Sequence, residues 1–133
     1  MAEKLCQLKK KGGGSLKETT LWTNPNPTSD YAADSTITLS QSYTAFDFIK
    51  INYKSIKNSS NILSTLMPVD DFSALTTNTV NLALAVSYNS AVYGRRLYPK
   101  SNTSIFCSGA TQWYGTGTNQ SLLIPVSVVG EGG

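Results

Sequence analysis

The sequence predicts an all-β fold: an antiparallel β-sandwich of jelly-roll-like form, with about eight short strands behind a flexible N-terminal arm. Three observations predict it. Stretches of alternating apolar and polar residues recur at roughly 10–13 residue intervals. Clusters of Asn, Ser, Pro and Gly separate them. No window longer than a turn or two carries a helical period. With 133 residues the chain has room for one domain with a real core. Hydrophobic residues make up 40% and charged residues 14%, against about 25% charged in ordinary domains. The body therefore has enough apolar content to fold, under a surface of hydroxyls and amides: Ser, Thr and Asn fill 42 positions.

Residues 1–17 read as the arm and 18–133 as the sandwich domain. Lys4, Lys9, Lys10, Lys11 and Lys17 stand against Glu3 in the arm, a net +4, while the rest of the chain has six basic and seven acidic residues. The overall net charge of +3 thus belongs to the arm. Leu5 and Leu8 fall on one side of a short amphipathic turn, and Gly12-Gly13-Gly14-Ser15 follows as a linker. Leu5, Leu8, Lys9, Lys10 and Lys11 are the candidate docking residues. A solvated, solubilising arm is the other reading of the same charges.

Thr19–Thr23 is the first candidate strand, closed by the turn cluster "NPNPTSD". Trp22 within it is expected to anchor the chain onto the core. Thr36–Ser40 alternates through Ile37 and Leu39, and Asp47–Tyr53 through Ile49, Ile51 and Tyr53. "KNSSN" turns into Ile62–Val69. A single helical turn is credible over Val69–Leu75, with Asp70 or Asp71 as its cap. Thr79–Tyr88 has the clearest pattern, with Val80, Leu82, Leu84, Val86 and Tyr88 on one face. "YNSA" reads as a hairpin turn into Val92–Tyr98. After "PKSNT" comes Thr103–Ser108, and finally Leu122, Ile124, Val126 and Val128 alternate. Pro125 lies inside this last strand, so it is expected at a sheet edge or a bulge.

Catalytic signatures are missing from the sequence. It has no histidine, the commonest general base and metal ligand. It has no G-x-S-x-G, HExxH, Walker A or Rossmann glycine pattern. Asp70 and Asp71 are adjacent, a poor geometry for an acid/base pair, and Asp30 and Asp34 read as turn residues before they read as calcium ligands. Cys6 and Cys107 form no CxxC pair, and Cys107 in "TSIFCSG" reads as a buried free thiol. No catalytic residues, metal or cofactor are expected, and no nucleic-acid partner. "MAEKLCQLKKKGGG" lacks the apolar stretch of a signal peptide, and no apolar run approaches the ~20 residues of a membrane-spanning helix.

The stretch "GATQWYGTGTNQS", Gly109–Ser121, is the most suggestive. Trp113 and Tyr114 sit among small polar residues, the composition of recognition loops. Such rings stack on the apolar faces of sugars while Gln112 and Asn119 bond hydroxyls. The competing reading is that Trp113 folds back and plugs one end of the sandwich. Tyr93, Arg95 and Leu97 share one strand face, and Val92, Gly94, Arg96 and Tyr98 the other. The Tyr93–Arg95 stripe is either part of a recognition surface or an ordinary strand face. The candidate ligand residues are Trp113, Tyr114, Gln112, Asn119, Tyr93 and Arg95.

"LWTNPNPTSDYA" (Leu21–Ala32), "FDFIKINY" (Phe46–Tyr53) and "IPVSVVG" (Ile124–Gly130) together resemble a recurring module. It is that of small distal domains in tail-fibre and other virion-associated proteins, encoded by phages and prophages of gut Firmicutes. The resemblance spans most of residues 5–130 and includes the "KKGGG" lead-in. It records a strand framework and no set of binding residues. It implies a virion structural, receptor-binding or decoration module for host attachment, often a homotrimer, assembled in the bacterial cytoplasm. Its partners would be other virion proteins, held by the arm, and a host-surface glycan. A carbohydrate-binding module of a bacterial surface system is the alternative.

Overall fold

The computed structural model describes residues 16–133; the docking arm, with Leu5, Leu8, Lys9, Lys10 and Lys11, and Cys6 lie outside them. The strands are β1 (Glu18–Thr23), β2 (Ser35–Thr38), β3 (Phe48–Ile56), β4 (Leu63–Pro68), β5 (Leu82–Tyr88), β6 (Ala91–Ser101), β7 (Ser104–Cys107), β8 (Thr111–Gln112) and β9 (Leu122–Glu131). Among the described residues a single helix, α1 (Val69–Ser73), follows β4, and one 3-10 turn spans Tyr43–Ala45. One sheet runs β1-β9-β3-β4; the other runs β2-β7-β6-β5, with β8 also paired to β6. Every pairing is antiparallel. Strand β1 pairs with β9 and β2 with β7, so among the described residues early strands pair with late ones around a middle built of hairpins, the jelly-roll-like trait.

Alternation explains the core. Ile49 and Ile51 of β3, Leu122, Leu123 and Val128 of β9, Leu84 of β5, Leu97 of β6, Ile105 of β7 and Ile37 of β2 form one buried cluster between the sheets. At one end α1 inserts Phe72, fully buried and edge-on to Tyr43 with centroids 5.2 Å apart. Trp22 is half-buried and edge-on to Tyr31 at 6.3 Å. The expected hairpin turn is present: Tyr88 pairs with Ala91, and Asn89 and Ser90 have φ of 49° and 64°. Two central residues with positive φ make the type I′ turn whose twist matches the strands.

Pro125 sits at a bulge, in a central strand. Pairing with β3 steps from Asn52–Ser127 to Tyr53–Pro125, leaving Val126 unpaired. A proline cannot donate to the ladder, and the bulge removes the need. The helix cap differs from expectation. Pro68 occupies the N-cap position with φ −57° and no side-chain cap bond, and Asp70 and Asp71 lie in the first turn. Proline's fixed φ suits helix entry, and carboxylates in the first turn favour the helix dipole. β5 begins at Leu82 because Thr76 N–H bonds the Val80 carbonyl at 2.8 Å and folds residues 76–80 into a loop.

Candidate recognition surface

The aromatic loop is a small excursion closed on itself. Thr111 and Thr118 form an isolated bridge, and Gln112 N–H donates to the Gly117 carbonyl at 2.9 Å. At its tip, Trp113 is 50% exposed and Tyr114 95% exposed. Trp113 N–H bonds the Val92 carbonyl of β6 at 3.0 Å. Its indole lies over Gly94, where an added Cβ would collide with Nε1 and Cε2 of the ring. Trp113 therefore does not plug the core. It rests against the backbone of β6, with the remainder of the ring open to solvent.

Register defines the surface around it. Ala83 pairs with Arg96, Ala85 with Gly94 and Ser87 with Val92; directly opposed residues share a face. Tyr98 pairs with Phe106, and their rings stack at 4.9 Å. The outer face of the five-stranded sheet thus has an exposed floor at Ala83 and Ala85, beside Gly94, which the indole covers. Trp113 borders it on one side, the Tyr98–Phe106 stack on the other, and Arg96 stands exposed between them. A floor of small side chains with an open indole and a guanidinium can hold an extended polar chain by ring stacking and hydrogen bonds.

The six candidate ligand residues divide. Trp113 and Tyr114 are on this surface. Gln112 braces the loop: its Nε2 donates to the Tyr93 hydroxyl at 3.2 Å, and its Oε1 accepts from Gly117 N–H at 3.1 Å. Asn119 Oδ1 accepts from the Ser121 N–H at 3.1 Å and from the Ser121 hydroxyl, an Asx-type turn. Tyr93 is half-buried and edge-on to Tyr88 at 6.3 Å.

Arg95 is a correction to the expected recognition stripe. It is 0% exposed, because its strand face is the inner one shared with Leu97. Its guanidinium donates to four main-chain carbonyls: Leu122 at 3.1 Å, Ser108 at 3.0 Å, Tyr31 at 3.0 Å and Gln120 at 3.1 Å. The Tyr31 ring lies 5.3 Å from its Cζ. Burial lowers the guanidinium's pKa, yet arginine stays charged in proteins. Burial likewise raises the Tyr31 phenol and pushes the Cys107 thiol up to about 11. Arg95 thus ties the segments around Tyr31, Ser108 and Gln120 together beneath the aromatic loop.

Arg96, exposed on the outer face, is not among the six candidate ligand residues. Gly94 was the available signal for it. A glycine inside a strand marks a close approach, and it lies on the Arg96 face. No family model, curated protein or solved structure matches the chain. Among the described residues, no three His, Cys, Asp or Glu side chains come together as a metal site.

Proposed function

We propose that the protein is a non-catalytic recognition module that holds a glycan on the outer face of its five-stranded sheet. We place it in a phage virion, as a tail-fibre, receptor-binding or decoration module that contacts the host surface. The half-open Trp113 indole seated on Gly94 carries the first part of this reading. A large ring kept at the surface by a glycine beneath it offers contact area without a folding role to explain it. The strand-framework resemblance supports the second part.

Binding to host cells or to a glycan panel tests the surface. Trp113→Ala should abolish binding while the protein still folds, at a stability cost below the roughly 3–5 kcal/mol of removing a fully buried Trp. Undiminished binding by that variant would reject the surface. Mass spectrometry of purified particles separates the virion from a bacterial surface system: the protein belongs among the particle proteins in the first and is missing from them in the second.

A further inference from the structure

On the outer face of the other sheet lies an open pocket of about 490 Å³, walled by Pro27 and Thr28, by the Asn58–Ser60 turn between β3 and β4, and by Val126 at the bulge. Lys54 and Lys57 also line it. The two lysines differ. Lys57 Nζ is paired with Asp30 Oδ1 at 3.0 Å. Lys54 is only 5% exposed, and its Nζ donates to the Pro27 carbonyl at 2.8 Å. Among the described residues the ion pairs are Lys50–Glu18, Lys50–Glu131 and Lys57–Asp30, so Lys54 has no carboxylate partner. An ammonium has three donors, and a buried charge without a counter-charge is expensive. Thr28, Asn58 and Ser60 carry no side-chain hydrogen bond among the described residues, so their donors and acceptors are also available at the pocket.

We propose that this pocket is a second binding site, and that it takes an acidic sugar or polyol through its anionic group. The carboxylate or phosphate accepts from the Lys54 ammonium and supplies the missing counter-charge. Hydroxyls of the ligand meet Thr28, Asn58 and Ser60, and its carbon framework rests on Val126. The site lies on the opposite outer face from Trp113 and does not depend on the reading of that surface.

Amide chemical-shift titration of the full chain tests it, with glucuronate, glycerol 1-phosphate and neutral glucose as probes. The expected result is saturable shifts around Thr28 and Asn58–Ser60 with at least one anion and none with glucose. The tighter-binding anion identifies the natural group as carboxylate or phosphate. Lys54→Met should weaken the response by about tenfold or more, the size of a hydrogen bond to a charged group. Trp113→Ala should leave it unchanged. Ser60→Trp, a change at an exposed position on the pocket wall, should block it and serves where Lys54→Met does not fold. Equal response to glucose, no saturable response to either anion, or retained affinity in a folded Lys54→Met or in Ser60→Trp overturns the proposal.

Discussion

The two outer faces of the sandwich are built from strands of similar kind but satisfied in opposite ways. On the four-stranded sheet, Lys50 of β3 reaches Glu18 of β1 at 2.6 Å and Glu131 of β9 at 2.9 Å. Beside it Asn52 donates to the Ser127 hydroxyl at 2.9 Å and accepts from Ser64 at 2.5 Å. These side chains tie four strands together across their surface. On the five-stranded sheet the matching positions hold Ala83, Ala85 and Gly94, with aromatic rings at the borders. Around Lys50 and Asn52 the first face pairs its polar side chains across strands, whereas the corresponding part of the second carries small side chains with no cross-strand polar ties. A polar face is thus not by itself a sign of recognition, and neither is a stripe of Tyr and Arg.

The largest test of this contrast runs through the two adjacent arginines. Arg95→Met removes the guanidinium from four main-chain carbonyls, of which Gln120 keeps the Tyr31 N–H, and should lower stability by about 3 kcal/mol or more. Arg96→Met, one residue on and facing solvent, should change it by less than about 0.5 kcal/mol. Urea denaturation of the pair measures both, and equal losses would break the assignment of faces. Gly94→Ala comes next. The new methyl must displace the indole, so the Trp113 indole N–H resonance should shift and glycan binding should fall, at about 1 kcal/mol of stability or less because the ring can swing into solvent. An unmoved resonance would show that the ring does not rest there.

The ion cluster of the opposite face should register in acid. Lys50, hydrogen-bonded to Glu18, holds that carboxyl below its ordinary value of 4.5. A lowered acid pKa stabilises the fold above that value, and the contribution disappears as pH falls through the folded-state pKa. Glu18 and Glu131 together raise Lys50 above 10.5, with the Glu18 bond the larger cause, so its share is present below that value and lost in strong base. Glu18 is largely exposed, which keeps the effect small. Melting temperature should decline below about pH 4.5, and Lys50→Met should flatten that decline. One further substitution should bring a gain. Ser90 holds φ 64° in the hairpin turn, so Ser90→Gly should stabilise by about 0.5–1 kcal/mol, read as a higher melting temperature.

Much of the fold was legible because period-2 patterns and turn chemistry are local. Leu82, Leu84, Val86 and Tyr88 share the inward face of β5, and "NS" forms the turn after it. The buried thiol of Cys107 was also readable from its apolar setting. The ends of strands were not. β2 stops at Thr38 because Leu39 N–H turns to the Thr103 carbonyl and Ser40 N–H to that of Leu21, partners far away in sequence. The short β8 was missed because Thr111 and Gln112 are strand only by lying against Tyr93 and Gly94. The site was half legible. Trp113 and Tyr114 advertise themselves by residue type. The choice between Arg95 and Arg96 is a matter of strand parity, and Tyr93 and Leu97 on one side against Val92 and Tyr98 on the other give apolar neighbours to both. Only the carbonyls gathered from Tyr31, Ser108, Gln120 and Leu122 decide it, and no local pattern records them.

Pro125 has a consequence for the chain before it folds. "LLIPVSVV", residues 122–129, is apolar, β-branched and uncharged, the kind of segment that stacks into cross-β fibrils when exposed. A proline in the middle denies such a stack one amide donor in every layer. In the native sandwich the bulge absorbs the defect, while a fibril, which needs an unbroken ladder, has no comparable remedy. The residue that looks like a flaw in a central strand acts as a gatekeeper against aggregation.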